Sequence, residues 1–232
     1  MLQLIGLTLI ALVVVPLAIV MVAHAFFYKK TSLTEIAKIP ELVMIAQVLV
    51  YAIVFALMRW RVDERGQEFW EAIRWNWPQA RWGGFLLLGV VLYFVLIGLG
   101  QVLPIPRNLP IDQFFQTARQ ASIVSIVAVA LAPFMEELFF RGILYPVLAR
   151  KMGTVLAILA TSALFGLLHG AQLGYSWAVL IIFFVGIALT TVRALTKSVA
   201  ASFLVHVGYN GTLSLLLFVA TSGFRHLERM NQ

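Results

Sequence analysis

The sequence predicts an all-α protein, a polytopic bundle of about seven membrane-spanning helices with an interfacial helix between the second and the third. Three observations predict it. Of 232 residues, 62% are hydrophobic and only 12% are charged, about half the roughly 25% usual in a soluble domain. The charges are also segregated: seven stretches free of Lys and Arg (2–27, 42–58, 83–103, 121–140, 154–170, 177–192 and 198–220) hold just two charged residues, Glu136 and Glu137. Most of these stretches are near the roughly 17 to 25 residues that cross a bilayer as a helix, the form that satisfies every backbone polar group within one segment.

The first stretch is longer than the roughly 7 to 15 apolar residues of a signal peptide and has no basic residue before it, so it reads as a retained span or signal anchor. Lys29 and Lys30 follow it, then a short amphipathic loop and a second span ending at Arg59. Between Arg59 and Trp82, charges of both signs alternate with Trp60, Trp70, Trp75, Trp77 and Trp82. Tryptophan favours the head-group region, which makes this segment the interfacial helix. The third span opens at Gly83 and Gly84 and stops at Pro104, Pro106 and Pro110, leaving residues 104–120 as a loop or re-entrant segment. Four closely connected spans follow. The expected organisation is an N-terminal transmembrane and interfacial part at 1–119, a four-helix core at 120–220 and a polar tail at 221–232. Basic residues are more numerous in the loops at 59–82, 141–153 and 193–197 than in the alternate set, which favours an inside N-terminus. The expected location is the cell (plasma) membrane, spanned several times.

Composition also excludes chemistry. With no cysteine, disulfides, thiolate zinc sites, iron–sulfur clusters and cysteine nucleophiles are ruled out. The net charge of +7 sits in short loops, so its partners are anionic lipids and not nucleic acid. The only aspartates, Asp63 and Asp112, lie in loops, which rules out an intramembrane aspartyl pair. Ser162, Ser198, Ser202 and Ser214 lack a GxSG turn and read as packing residues.

Ionisable groups within a span cost about 2.5–3.5 kcal/mol for a central Asp, Lys or Arg, so each needs a reason. Here they are Glu136, Glu137, His169 and His206, with Arg141 and Asn210 one turn beyond. Glu137 and Arg141 stand at i and i+4 in the favourable acid-first order and form an ion pair that reads as structural. Glu136 points about 100° away from that pair. Phe165 shares a face with His169, as His206 does with Asn210, and Gly166 and Gly170 permit close helix approach at His169. If the chain turns near residues 150–153 and again near Lys197, Glu136 and His169 lie roughly 21–24 Å from that side, and His206 and Asn210 roughly 14–20 Å. All four then converge at one depth inside the membrane.

A carboxylate beside a histidine can deprotonate water, while a second histidine and an amide can donate hydrogen bonds to an oxyanion. That is a constellation for acyl hydrolysis. Glu136, His169 and His206 could instead hold one zinc ion, although the HExxH spacing is absent; the expectation is that no cofactor is required. Two other classes also use such residues: a proton-coupled carrier with Glu136 and the histidines as a relay, and a non-catalytic immunity or binding membrane protein.

The sequences Glu136-Glu137-Leu-Phe-Phe-Arg141, Phe165-Gly-Leu-Leu-His169 and His206-Val-Gly-Tyr-Asn210 reproduce in order the three motifs EExxxR, FxxxH and HxxxN. Over about residues 120–220 the chain thereby resembles the CAAX protease and bacteriocin-processing family of intramembrane endopeptidases, typified by the type II CAAX prenyl endopeptidase. The resemblance implies that Glu136 and His169 activate water and that His206 and Asn210 stabilise the oxyanion, with Glu137, Arg141 and Phe165 in support. It also implies a membrane-associated peptide or protein as substrate.

Overall fold

The computed structural model describes residues 2–231, and among them every regular element is helical. The chain divides into two compact units that meet in sequence at Ala72 and Ile73.

The first unit packs helix α1 (Leu2–Phe26) on helix α2 (Pro40–Asp63). A single turn, Leu33–Ile36, joins them; its Ser32 cap accepts from the Glu35 amide while the Glu35 carboxylate answers the Ser32 amide, a reciprocal cap that fixes where the turn begins. Pro40 opens α2, where its missing N–H is no loss.

The helix expected between Arg59 and Trp82 is confined to one turn, Phe69–Ala72. Residues as far as Asp63 prolong α2 instead. Gly66 at φ +63° and Arg74 at φ +61° break a continuous helix on either side of that turn, and Pro78 cannot stand in a helix interior. The tryptophan spacing here is not a helical period.

The second unit contains α3 (Trp82–Val102), α4 (Ala118–Met152), α5 (Thr154–Leu168), α6 (Ala178–Thr196) and α7 (Val199–Ala220). Six of the seven helices are long and apolar enough to cross a membrane, and α5 is a shorter apolar one. The turns fall where the depth argument needs them: Gly153, at φ +79°, separates α4 from α5, and Lys197, at φ +56°, separates α6 from α7.

Small residues set the distances between these helices. A Cβ on Gly89 of α3 would lie 2.1 Å from the Val205 carbonyl oxygen, and one on Gly208 of α7 would lie 2.2 Å from the Leu86 oxygen, so the two backbones touch where the helices cross. Gly166 faces Val179 and Phe183 in the same manner, bringing α6 against α5 beside His169, as the sequence suggested.

Helix α4 departs from the α register twice, with π segments at Val127–Leu131 and Leu138–Leu144. Each ends just before a proline, Pro133 and Pro146. A proline ring crowds the carbonyl four residues back and brings no N–H, and widening to i→i+5 pairing relieves that crowding. The consequence is specific. Ala132 N–H pairs with Val127 O, so the next amide would pair with Ala128 O, but the next residue is Pro133. Likewise Tyr145 N–H pairs with Phe140 O, and Pro146 leaves Arg141 O without its helical donor. The paired glutamates stand between the two π segments.

Candidate active site

The second motif residue is set by the length of α5. Fifteen residues at about 1.5 Å each carry the chain roughly 22 Å from the Gly153 turn, and His169 caps the helix there. Its Nδ1 lies 2.8 Å from the Phe165 carbonyl. A carbonyl only accepts, so Nδ1 carries the proton and a neutral His169 presents the lone pair of Nε2 on its other side. That Nε2 is 3.9 Å from Glu136 Oε1.

His206, on α7, approaches the other oxygen of the same carboxylate, with Nε2 3.8 Å from Glu136 Oε2. Its Nδ1 lies 3.0 Å from Glu137 Oε1. Both imidazoles are thus anchored through Nδ1 and turn Nε2 toward Glu136. The gaps exceed a direct hydrogen bond and suit one bridged by water. Glu136 retains 16% side-chain exposure and His169 22%, so the cluster is open to a small molecule.

Glu137 is fully buried and does more than pair with Arg141. Its Oε1 accepts from Arg141 Nη1 at 2.8 Å as well as from His206, and its Oε2 lies 2.5 Å from Ser202 Oγ. The ion pair expected from i,i+4 spacing is present, yet the carboxylate that forms it also orients a histidine of the third motif. Ser202 is therefore not mere packing. It stands one turn before His206 on the same face of α7, a spacing that marks it once Glu137 is known to lie opposite.

Arg141 reaches α6, donating through Nη2 to Gly186 O at 3.2 Å and through Nε to Thr190 Oγ1 at 3.3 Å, while Thr190 donates to Gly186 O. Its guanidinium lies 4.6 Å from the centre of the Phe165 ring. Phe165 also packs against both histidines, with ring centres 4.7 Å from His169 and 5.9 Å from His206. One aromatic side chain thereby packs on the buried cation and on both imidazoles.

Asn210 is tied to the backbone of α4. Its Nδ2 donates at 2.7 Å to Ala128 O, the carbonyl left without its helical donor by Pro133. The second such carbonyl, Arg141 O, accepts from Arg193 Nε at 3.1 Å. Sequence reasoning named neither Ala128 nor Arg193. The signal was available in Pro133 and Pro146, each five positions beyond the carbonyl concerned, but only a π register turns that offset into a contact.

Residues 118–212 match the family model described as type II CAAX prenyl endopeptidase Rce1-like. The matched segment, somewhat under half of the chain, contains all three motifs and the whole cluster around Glu136, and it bears out the resemblance read from those motifs. It supports a CAAX-type intramembrane protease carried by a multi-pass membrane protein, and such a protease acts on a membrane-associated protein. The chain has no match among curated proteins or solved structures.

Proposed function

We propose that the second unit is an intramembrane endopeptidase that hydrolyses a peptide bond of a membrane-associated protein or peptide with a glutamate-activated water. The observation that carries this reading is the convergence of two Nδ1-anchored imidazoles on one carboxylate, with gaps of 3.8 and 3.9 Å.

A water in that gap donates one hydrogen to Glu136 and the other to His169 Nε2. Glu136 takes the proton as the water oxygen bonds to the scissile carbonyl carbon. Negative charge then develops on the carbonyl oxygen. His206, held at Nδ1 by the Glu137 carboxylate, donates to it from Nε2 when both ring nitrogens carry a proton. Asn210 spends one amide hydrogen on Ala128 and has a second for the oxyanion. Collapse breaks the C–N bond as Glu136 returns its proton to the leaving nitrogen. Phe165 and the Glu137–Arg141 pair act by holding the imidazoles.

Among the described residues no three His, Asp or Glu side chains are set as a ready metal site. Glu136, His169 and His206 are nevertheless the right kinds of ligand for zinc, which when bound would polarise water and carbonyl. The decisive experiment is cleavage in proteoliposomes by wild type and Glu136→Gln. The variant should bind and copurify with substrate without cutting it; normal cleavage would refute the proposal and favour a carrier or a non-catalytic binding protein.

A further inference from the structure

We infer that Arg193, together with Arg74, forms a binding site for a phosphate group at the rim of the second unit, beside the turn that joins α6 to α7.

The first support is the burial of Arg193. Its relative exposure is 4%, and its Nε is engaged by Arg141 O. The two terminal nitrogens make no hydrogen bond to any described residue, and no atom of Arg193 is among the sealed polar atoms that lack a partner. They retain access to a ligand. The guanidinium lies 5.9 Å from the centre of the Tyr145 ring, a contact that orients the plane but supplies no anion. A neutral donor would satisfy the Arg141 carbonyl equally well, so that contact leaves the buried charge unexplained.

The second support is a neighbour of the same sign. The segment around Arg74 is tied to this rim: Arg74 O accepts from Val199 N–H at 3.0 Å, Asn76 O accepts from Ser198 Oγ, and Trp75 packs edge-on against Phe134. Arg74 is near enough to repel Arg193 electrostatically. Two guanidinium groups that repel each other favour an anion beside them, and their forked donors match phosphate oxygens.

The third support is that no protein carboxylate pairs with either arginine: among the described residues no ion pair includes Arg74 or Arg193. Glu71 stands three positions before Arg74 without forming such a pair, and from Ile73 onward the acidic residues are Asp112, Glu136, Glu137 and Glu228. Asp112 follows the end of α3 and Glu228 the end of α7, both on the opposite side of the bundle, and Glu137 is already shared by Arg141, His206 and Ser202. Glu136 faces the histidines. A lipid head group and a soluble phosphate offer the same chemistry to this rim.

The test reads binding and not proteolysis, so its failure leaves the proposed activity untouched. Thermal midpoints are measured in nanodiscs of phosphatidylcholine alone, doped with increasing phosphatidic acid, or titrated with inorganic phosphate. A saturable rise is expected. Arg74→Gln, an exposed position, should weaken the apparent affinity by about tenfold, the scale of one charge-assisted contact. Arg193→Gln should do the same if it folds, whereas the double change Arg150→Gln with Lys151→Gln on the same rim should weaken it by less than about twofold. A rise with phosphatidic acid alone assigns the site to a lipid head group; a rise with inorganic phosphate as well assigns it to phosphate in general. No saturable rise, or equal weakening in Arg74→Gln and in the double variant, overturns the site in favour of diffuse attraction.

Discussion

Replacing Glu137 by glutamine separates the two adjacent glutamates most clearly, because shape is kept while charge is lost. The remaining oxygen of the introduced amide can still accept from Arg141 and His206, which lie 2.8 and 3.0 Å from the native carboxylate. The new NH2 meets Ser202, whose hydroxyl can turn to Leu189 O at 2.9 Å. What disappears is the anion beside a guanidinium with no exposed surface. Breaking a buried pair on one side costs about 3–5 kcal/mol; Glu136 also acts electrostatically on Arg141, which favours the lower end. At about 2–4 °C per kcal/mol for a chain of this size, the melting temperature should fall by at least roughly 6 °C. Activity per folded molecule should fall too, by about 10²–10³, because a neutral amide replaces the charged anchor that holds the His206 ring at Nδ1. Both quantities are read on one preparation: tryptophan-monitored melting in detergent, then cleavage in proteoliposomes at matched folded concentration. Glu136→Gln serves as comparator and should melt within about 2 °C of wild type, since no buried counter-ion depends on it alone. If Glu137→Gln melts with wild type and cleaves normally, Glu137 neither balances Arg141 nor supports His206.

His206→Ala and Asn210→Ala should each lower kcat by about 10²–10³ with little change in KM, since donors to an oxyanion act in the transition state; a pure KM effect on a reconstituted peptide substrate would remove that role. Pro133→Ala restores an amide able to compete for Ala128 O, so kcat should drop toward that of Asn210→Ala while KM and folding hold, and unchanged kinetics would show that this carbonyl does not orient the amide. Purified active enzyme should retain full activity at a metal content well below one equivalent by elemental analysis; activity lost with a stoichiometric zinc ion and regained on its return would assign Glu136, His169 and His206 as ligands instead.

Much of this was legible in the sequence because lipid leaves few options. Segregated charge located the helices, and the turns at Gly153 and Lys197 were sufficient to place Glu136, His169 and His206 at a common depth. The partners of Glu137 were not legible. Spacing along one helix shows Arg141, but His206 and Ser202 arrive from α7, more than sixty positions away, and only packing of α7 on α4 brings them in. The segment after Arg59 misled for a different reason: the preference of tryptophan for a head-group layer carries no helical period, while Gly66, Arg74 and Pro78 decide the backbone. Asn210 was found by its spacing from His206, yet the contact it makes depends on an i→i+5 register that periodicity at 3.6 residues does not reveal.

The carbonyl that holds Asn210 belongs to the backbone, which changes how this chain would respond to saturation mutagenesis. Any residue at position 128 brings the same oxygen, so substitutions there should be nearly silent wherever the side chain is tolerated by its neighbours. The sensitive position lies five residues away, at Pro133, where the group that matters is one the residue lacks. Arg141 shows the complementary case: its side chain serves Glu137 while its carbonyl serves Arg193, so replacing it removes one connection and leaves the other intact. A map of mutational sensitivity would therefore place the support for this site on residues that never touch it and pass over the atoms that do.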